Sequence, residues 1–152
     1  MPGDSQLNVR LARVDDVDQL TALVEQYREF YKQTRSEKTR SYLVDRISNN
    51  ESVIFVAEKD AVLVGFTQCY PTFSTVSLSQ IWLLNDLFVD PGHRGQHIAD
   101  RLMQTAEKAS KDSGATRMWL RTAHSNEPAQ GLYEKRGWVQ DDVFRRYDLV
   151  FN

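Results

Sequence analysis

The 152-residue chain holds a single cysteine, Cys69. That excludes a disulfide framework and a CxxC metal clip, and it makes a reducing, cytoplasmic home the expected one. The opening stretch "MPGDSQLNVR" lacks the apolar core of a signal peptide. Apolar runs of roughly 18 residues are absent, so no membrane span is expected. No run of Lys and Arg breaks a formal net charge of −2, which argues against a nucleic-acid surface. Neither a P-loop GxxxxGK[ST] nor a Rossmann GxGxxG follows a strand, and no GxSxG elbow offers a nucleophilic serine. His93 and His97 are spaced as in HExxH, but Arg94 occupies the place of the glutamate, and His124 is distant. No metal site is expected.

What remains is the composition of an ordinary soluble globular protein, 41% hydrophobic and 26% charged. With no repeat and no Pro/Gly/Ser linker, residues 1–152 read as a single domain, with 1–6 as a flexible N-terminus. "LNVRLARV" alternates as a strand. Asp15 to Lys32 carries Val17, Leu20, Val24, Tyr27 and Tyr31 at helical spacing. A weaker helix begins after Ser36, a candidate N-cap, and carries Tyr42, Leu43 and Ile47. "SVIFVAEKDAVLVGFTQCY" reads as a hairpin broken at Lys59-Asp60. "FSTVSLSQ" reads as a loop or ragged strand end, and "IWLLNDLFV" as a strand covered on both faces.

After Pro91-Gly92 a helix is anchored by Ile98, Leu102, Ala106 and Ala109 and is ended by Gly114. "TRMWLRT" is the next strand. "NEPAQGLYEKRG" forms a short helix capped by Asn126, and "FRRYDLVF" is a last strand. The order β-α-α-β-β-β-α-β-α-β-β is that of an α/β (α+β) protein, a mixed central sheet with helices on both faces. Ile81 to Thr122 forms a β-α-β crossover, expected right-handed.

"PGHRGQHIADRL" joins a strand to a helix at residues with free backbone N–H groups. The positive helix end makes such a junction an anion site without any special side chain. In "SNEPAQGLYEKRGW", Asn126 and Tyr133 lie two helical turns apart, on one side of the short helix. Together these stretches resemble the Gcn5-related N-acetyltransferase superfamily and its acyl-CoA N-acyltransferase fold. Arg94-Gly95-Gln96-His97-Ile98-Ala99 is similar to its acetyl-CoA signature, R/Q-x-x-G-x-G/A. Tyr133 falls at the position of its usual general acid. "YREFY", "LNDLFVDP" and "NEPA" look closest to the branch that acetylates polyamines, thialysine and related small amines. His97 departs from the signature glycine, and Asn85 stands where that branch often has glutamate. In a helical first turn, position 97 is expected to need no positive φ.

The resemblance implies acetyl-CoA as co-substrate. Its pyrophosphate would lie on the N–H groups from Gly95 to Ala99, with Arg94 and Asn126 also at the cofactor. Its pantetheine arm would run along Leu87, Phe88 and Val89 as an added strand, opened by a bulge. Asp86, on the strand beside the thioester, is the candidate base for the amine. Tyr133 could protonate the leaving thiolate. Tyr27, Tyr31, Trp82, Asn85 and Asp86, with Glu29, are candidates for the acceptor site. The partners expected are a small-molecule amine and a second copy in a homodimer. A protein acetyltransferase and a non-catalytic acyl-CoA-binding module are the rival readings.

Overall fold

The computed structural model describes residues 6–152, so the flexible terminus expected over 1–6 falls almost wholly outside the described residues. By its internal contacts the chain divides into a first unit ending at Leu120 and a second, Arg121–Asn152. The first holds strand β1 (Asn8–Leu11), a 3-10 turn Val14–Asp16, and helices α1 (Val17–Phe30) and α2 (Lys38–Ser48). Strands β2 (Val53–Lys59), β3 (Val62–Ser74) and β4 (Ser79–Val89) follow, then helix α3 (Ile98–Asp112) and the short β5 (Met118–Trp119). The second holds helix α4 (Glu127–Lys135).

The sheet has the order β1-β2-β3-β4-β5. Its first three pairings are antiparallel and β4–β5 is parallel, so the sheet is mixed. The hairpin between β2 and β3 turns through Asp60 and Ala61, both at positive φ, where a two-residue turn matches the twist of its strands. Two bulges bend the sheet. Ala57 faces Gly65 while Glu58 faces Leu63, making Val64 an extra residue in β3. Gln68 faces Asp86 while Cys69 faces Leu84, making Asn85 an extra residue in β4.

Alternation along the strands sends side chains to both faces, and both are covered. Ile54, Val56, Leu63, Phe66 and Phe88 form one buried cluster with Leu20 and Leu23 of α1 and Leu43 of α2. On the other face Gly65 lets α3 approach. A Cβ there would meet the Phe88 carbonyl oxygen at 3.0 Å and the side chains of Leu102 and Ile98 at 3.3 and 3.4 Å.

Arg10 clamps the start of α1 to the sheet. It donates to Asp16 at 2.8 and 2.9 Å and to Glu58 at 2.8 Å, while Arg13 N–H adds 2.7 Å to Asp16. The Arg10 guanidinium therefore holds the buried Asp16 carboxyl below its usual range. Glu25 ties α1 to α2, accepting from Thr39 Oγ1, from Ser36 N–H at 3.1 Å and from Arg28 at 3.2 Å. Ser36, expected as the α2 cap, accepts from Lys38 N–H at 3.1 Å, one residue ahead of the cap position.

"FSTVSLSQ" is the ragged strand end expected: Phe73 faces Gln80 and Ser74 faces Ser79, and residues 75–78 form the turn. Two other expectations are corrected. Of "TRMWLRT" only Met118 and Trp119 pair, with Trp82 and Leu83. "FRRYDLVF" forms no strand, and residues 138–152 carry neither helix nor strand. Its alternation supplies a strand-forming sequence, but a strand exists only where a ladder of hydrogen bonds completes it. Val143, Phe144, Tyr147, Leu149, Val150 and Phe151 are each at least 75% exposed.

Candidate active site

Strand β4 carries two chemically different features, one at its bulge and one beyond its end. At the bulge, Asp86 sits opposite Gln68. Gln68 Nε2 and Asn85 Nδ2 each donate to Asp86 Oδ2 at 3.0 Å. Gln68 in turn accepts from Ser52 Oγ at 2.8 Å, so a relay of polar side chains fixes the carboxylate in one orientation. The extra residue of the bulge thus supplies one of the two donors that hold Asp86.

Tyr27 reaches this carboxylate from α1. Its ring meets Phe66 at 5.7 Å, Phe88 at 5.8 Å and Tyr31 at 5.1 Å, all edge-on. Burial, then the charge of Asp86, raises the Tyr27 hydroxyl far above its ordinary value, so it remains a proton donor. Tyr70, likewise raised by burial and by its bond to Tyr42, joins that residue hydroxyl to hydroxyl at 2.8 Å. Arg46 lies over the Tyr42 ring at 4.5 Å. Cys69 is fully buried, and its thiol is pushed up to about 12 by burial and by the Asp86 charge. It is no nucleophile.

Asn85, Asp86 and Tyr27, all expected at the acceptor site, are therefore brought together. Tyr31 stands at the exposed end of α1, touching Tyr27. Glu29 spends its charge on Arg35 at 2.9 Å. Trp82 is a correction. It is only 4% exposed, pairs with Pro71 and Met118, and donates its indole N–H to Gln80 at 3.3 Å, so it is core rather than wall. Gln68, Ser52, Tyr42 and Tyr70 were not among the expected site residues. The legible signal was Thr67-Gln68, two polar residues that interrupt the apolar first half of β3.

Below the bulge, Leu87, Phe88 and Val89 pair with β3 through Thr67, Phe66 and Gly65. Phe88 and Val89 are buried. The β4–β5 ladder stops at Leu83 and Trp119, and among the described residues no strand pairs with Leu84 to Val89 on the β5 side. Backbone groups of that edge are therefore placed to accept an added strand.

Past Val89 the chain makes a 3-10 turn, Pro91–His93. Asp90 organises it, accepting from Gly92 N–H at 3.1 Å and pairing with His93 Nδ1 at 2.9 Å. Arg94 Nε donates to the Val89 carbonyl at 3.3 Å, and its guanidinium lies 5.7 Å from the Phe88 ring centre. Gly95 has φ +76°, and nothing stands within 4 Å of where its Cβ would be. His97 caps α3 with φ 61° and ψ 22°. That corrects the expectation for position 97, because the residue lies before the helix and in the left-handed region. Glycine in the signature thus supplies conformation as well as room, and histidine is among the residues that tolerate the strain better. Ile98 and Ala99 open the helix, with N–H groups that lack intrahelical partners.

Within the second unit, Asn126 Oδ1 caps α4, accepting from Ala129 N–H at 3.4 Å. Tyr133 lies two turns later, its ring 6.3 Å from that of Trp138. The helix, its cap and the Asn–Tyr spacing stand as expected.

The sequence model of the acetyltransferase (GNAT) family matches residues 20–138, and the chain belongs to that family. It is therefore an N-acetyltransferase, and the family's acyl donor is acetyl-CoA. The chain is similar to an uncharacterized N-acetyltransferase, YhfO, of Bacillus subtilis (strain 168). That protein is 41% identical over 144 residues, 94% of this chain and 97% of its own. An N-alpha-acetyltransferase of Sulfurisphaera tokodaii is 29% identical over 158 aligned positions, 93% of this chain and 86% of that one. A crystal structure of a probable acetyltransferase superposes with a TM-score of 0.90 at 38% identity, covering 95% of this chain and 98% of that chain. The open backbone at Gly95, the helix end at Ile98 and the unpaired β4 edge fit such a donor.

Proposed function

We propose that the protein transfers the acetyl group of acetyl-CoA to a primary amine of a small molecule by direct attack, the amine being polyamine-, thialysine- or amino-acid-like. The observation that carries this reading is the carboxylate of Asp86, held by Gln68 and Asn85 and faced by Tyr27.

The chemistry demands a base for the amine and an acid for the departing thiolate, and the chain has a residue for each. An alkylammonium of pKa ~10.4 costs roughly 4–5 kcal/mol to deprotonate at pH 7. Asp86 receives that proton directly or through water, and its charge first attracts the cation. Tyr133 gives its proton to the departing thiolate. N–H groups from Gly95 to Ala99, with Arg94, hold the pyrophosphate, and the backbone of Leu87, Phe88 and Val89 holds the pantetheine arm. Asn126 sets the helix that carries Tyr133, and Tyr31 borders the acceptor beside Tyr27.

A thiol-release screen with acetyl-CoA tests this reading against polyamines, lysine analogues, amino acids and basic peptides. Turnover with diamines or lysine analogues is expected. Release only with peptides would favour the second reading, an N-terminal or lysine acetyltransferase, which the N-alpha-acetyltransferase relative supports. We place the protein in the cytoplasm on the single-cysteine argument. We further propose a homodimer, because exposed apolar side chains such as Phe144, Tyr147 and Phe151 form the kind of surface an assembly covers. Sedimentation of the pure protein tests that.

A further inference from the structure

We infer that Lys59, which lies outside the acetyl-CoA signature, is a phosphate contact for the donor. The inference rests on the acetyl-CoA reading, and it starts from sheet register. Gly65 of β3 pairs with Val89, the last residue of β4. The β2–β3 turn therefore lies at the same end of the sheet as the loop that follows β4. Lys59, the last residue of β2, extends across that gap and donates from Nζ to Gln96 Oε1 at 3.1 Å. Gln96 stands between Gly95 and His97, the two left-handed residues of the phosphate loop.

Charge around the loop sharpens the point. Asp90 and Asp100 flank it, and Asp60 lies in the neighbouring turn, so a bound phosphate needs nearby cations. The signature's own Arg94 gives its Nε to the Val89 carbonyl and sets its guanidinium over the Phe88 ring, and it is one cation against three carboxylates. Arg101, in the first turn of α3, donates to the Leu7 carbonyl at 3.0 Å. Lys59 is different. Its hydrogen-bond partner is a neutral amide, and among the described residues no carboxylate pairs with it. An ammonium has three donors, and Gln96 takes one. Lys59 is itself half-buried. A lysine binds phosphate as a point charge and needs no fixed fork geometry to do so.

Calorimetric titration of wild type, Lys59→Met, Lys59→Arg, Gln96→Ala and the Lys59→Met/Gln96→Ala double variant with CoA and with 3′-dephospho-CoA tests this. The Lys59→Met protein should bind CoA roughly three- to tenfold more weakly at low salt, with Lys59→Arg close to wild type. The gap should narrow as salt rises. If the gap disappears with 3′-dephospho-CoA, the contact is the 3′-phosphate. If it persists, the contact is the pyrophosphate. Either result supports the inference. Binding by Lys59→Met within twofold of wild type at low salt overturns it. So does a Gln96→Ala loss that equals the Lys59→Met loss with none added in the double variant, since Lys59 would then only steady Gln96. A wild type that binds neither nucleotide removes the acetyl-CoA reading itself.

Discussion

The bulge of β4 and the loop beyond Val89 form the two ends of the site, and they are built from different materials. The bulge at Asn85 gathers side chains: a carboxylate, two amides, a hydroxyl and a set of tyrosines, each oriented by another. The loop from Asp90 to Ala99 works through its backbone, with a left-handed glycine, a left-handed histidine and a helix end. A site made of backbone should tolerate side-chain exchange that keeps φ and space. A site made of one oriented carboxylate should not. The two ends should therefore fail differently, one in turnover and the other in donor affinity.

Tyr133→Phe should give the largest effect. It should lower kcat by ~10²–10⁴-fold and leave the acetyl-CoA Kd within about twofold, since a general acid acts on the leaving group and not on binding. Stopped assays with titrated donor separate the two. An unchanged kcat would return Tyr133 to packing against Trp138.

Asp16→Asn probes a clamp whose hydrogen bonds reach neither Asp86 nor the loop, so it should cost stability and leave the kinetic comparison intact. Losing an ion pair at a carboxylate side chain only 8% exposed should destabilise by about 2–4 kcal/mol in urea unfolding. The Arg10 pair lowers the folded-state Asp16 pKa, so its contribution is complete above the unfolded value of about 3.9 and is lost as pH falls through the lower folded value. The gap between wild type and variant should hold from pH 7 to about 5 and shrink below about pH 4. A gap independent of pH would mean that Asp16 acts through shape alone.

Gln68→Leu sharpens the claim that the bulge end works by orientation. Removing one donor to Asp86 should reduce kcat about tenfold, at about 1–1.5 kcal/mol, with donor affinity preserved. A loss of acetyl-CoA binding of the same size would mean that the two ends are not separate. His97→Gly should be the smallest change. Glycine relieves a left-handed histidine but loosens the unfolded chain, and the two effects nearly offset. Stability should move by less than about 1 kcal/mol and Kd by about twofold or less. A large loss of binding would assign the imidazole a direct role.

How well each end could be read in the sequence follows the same division. The phosphate loop announces itself because a backbone site needs a local pattern, and "PGHRGQHIA" keeps it even with His97. Helices α1, α3 and α4 and the capping Asn126 were legible for the same reason: caps and periodicity are local. Asp86 could be picked out by its place on the strand, but its partners could not. Gln68 and Ser52 reach it through a pairing register that the bulge at Asn85 shifts, and no spacing encodes that shift. Trp82 failed as a wall residue because alternation says which residues share a face without saying which face is covered. "FRRYDLVF" failed as a strand because its alternation named no partner. The left-handed φ of His97 was missed because the helix was taken to begin before it.

The most direct measurement is the pH–rate profile of Asp86→Asn beside wild type, with saturating acetyl-CoA and the amine identified by thiol release. Turnover of the variant should fall by ~10²-fold or more at pH 7. The deficit should shrink as pH rises toward the amine's own pKa, while the acetyl-CoA Kd stays unchanged. A variant profile of the same height and shape as wild type would contradict the assignment and leave Asp86 as a structural carboxylate.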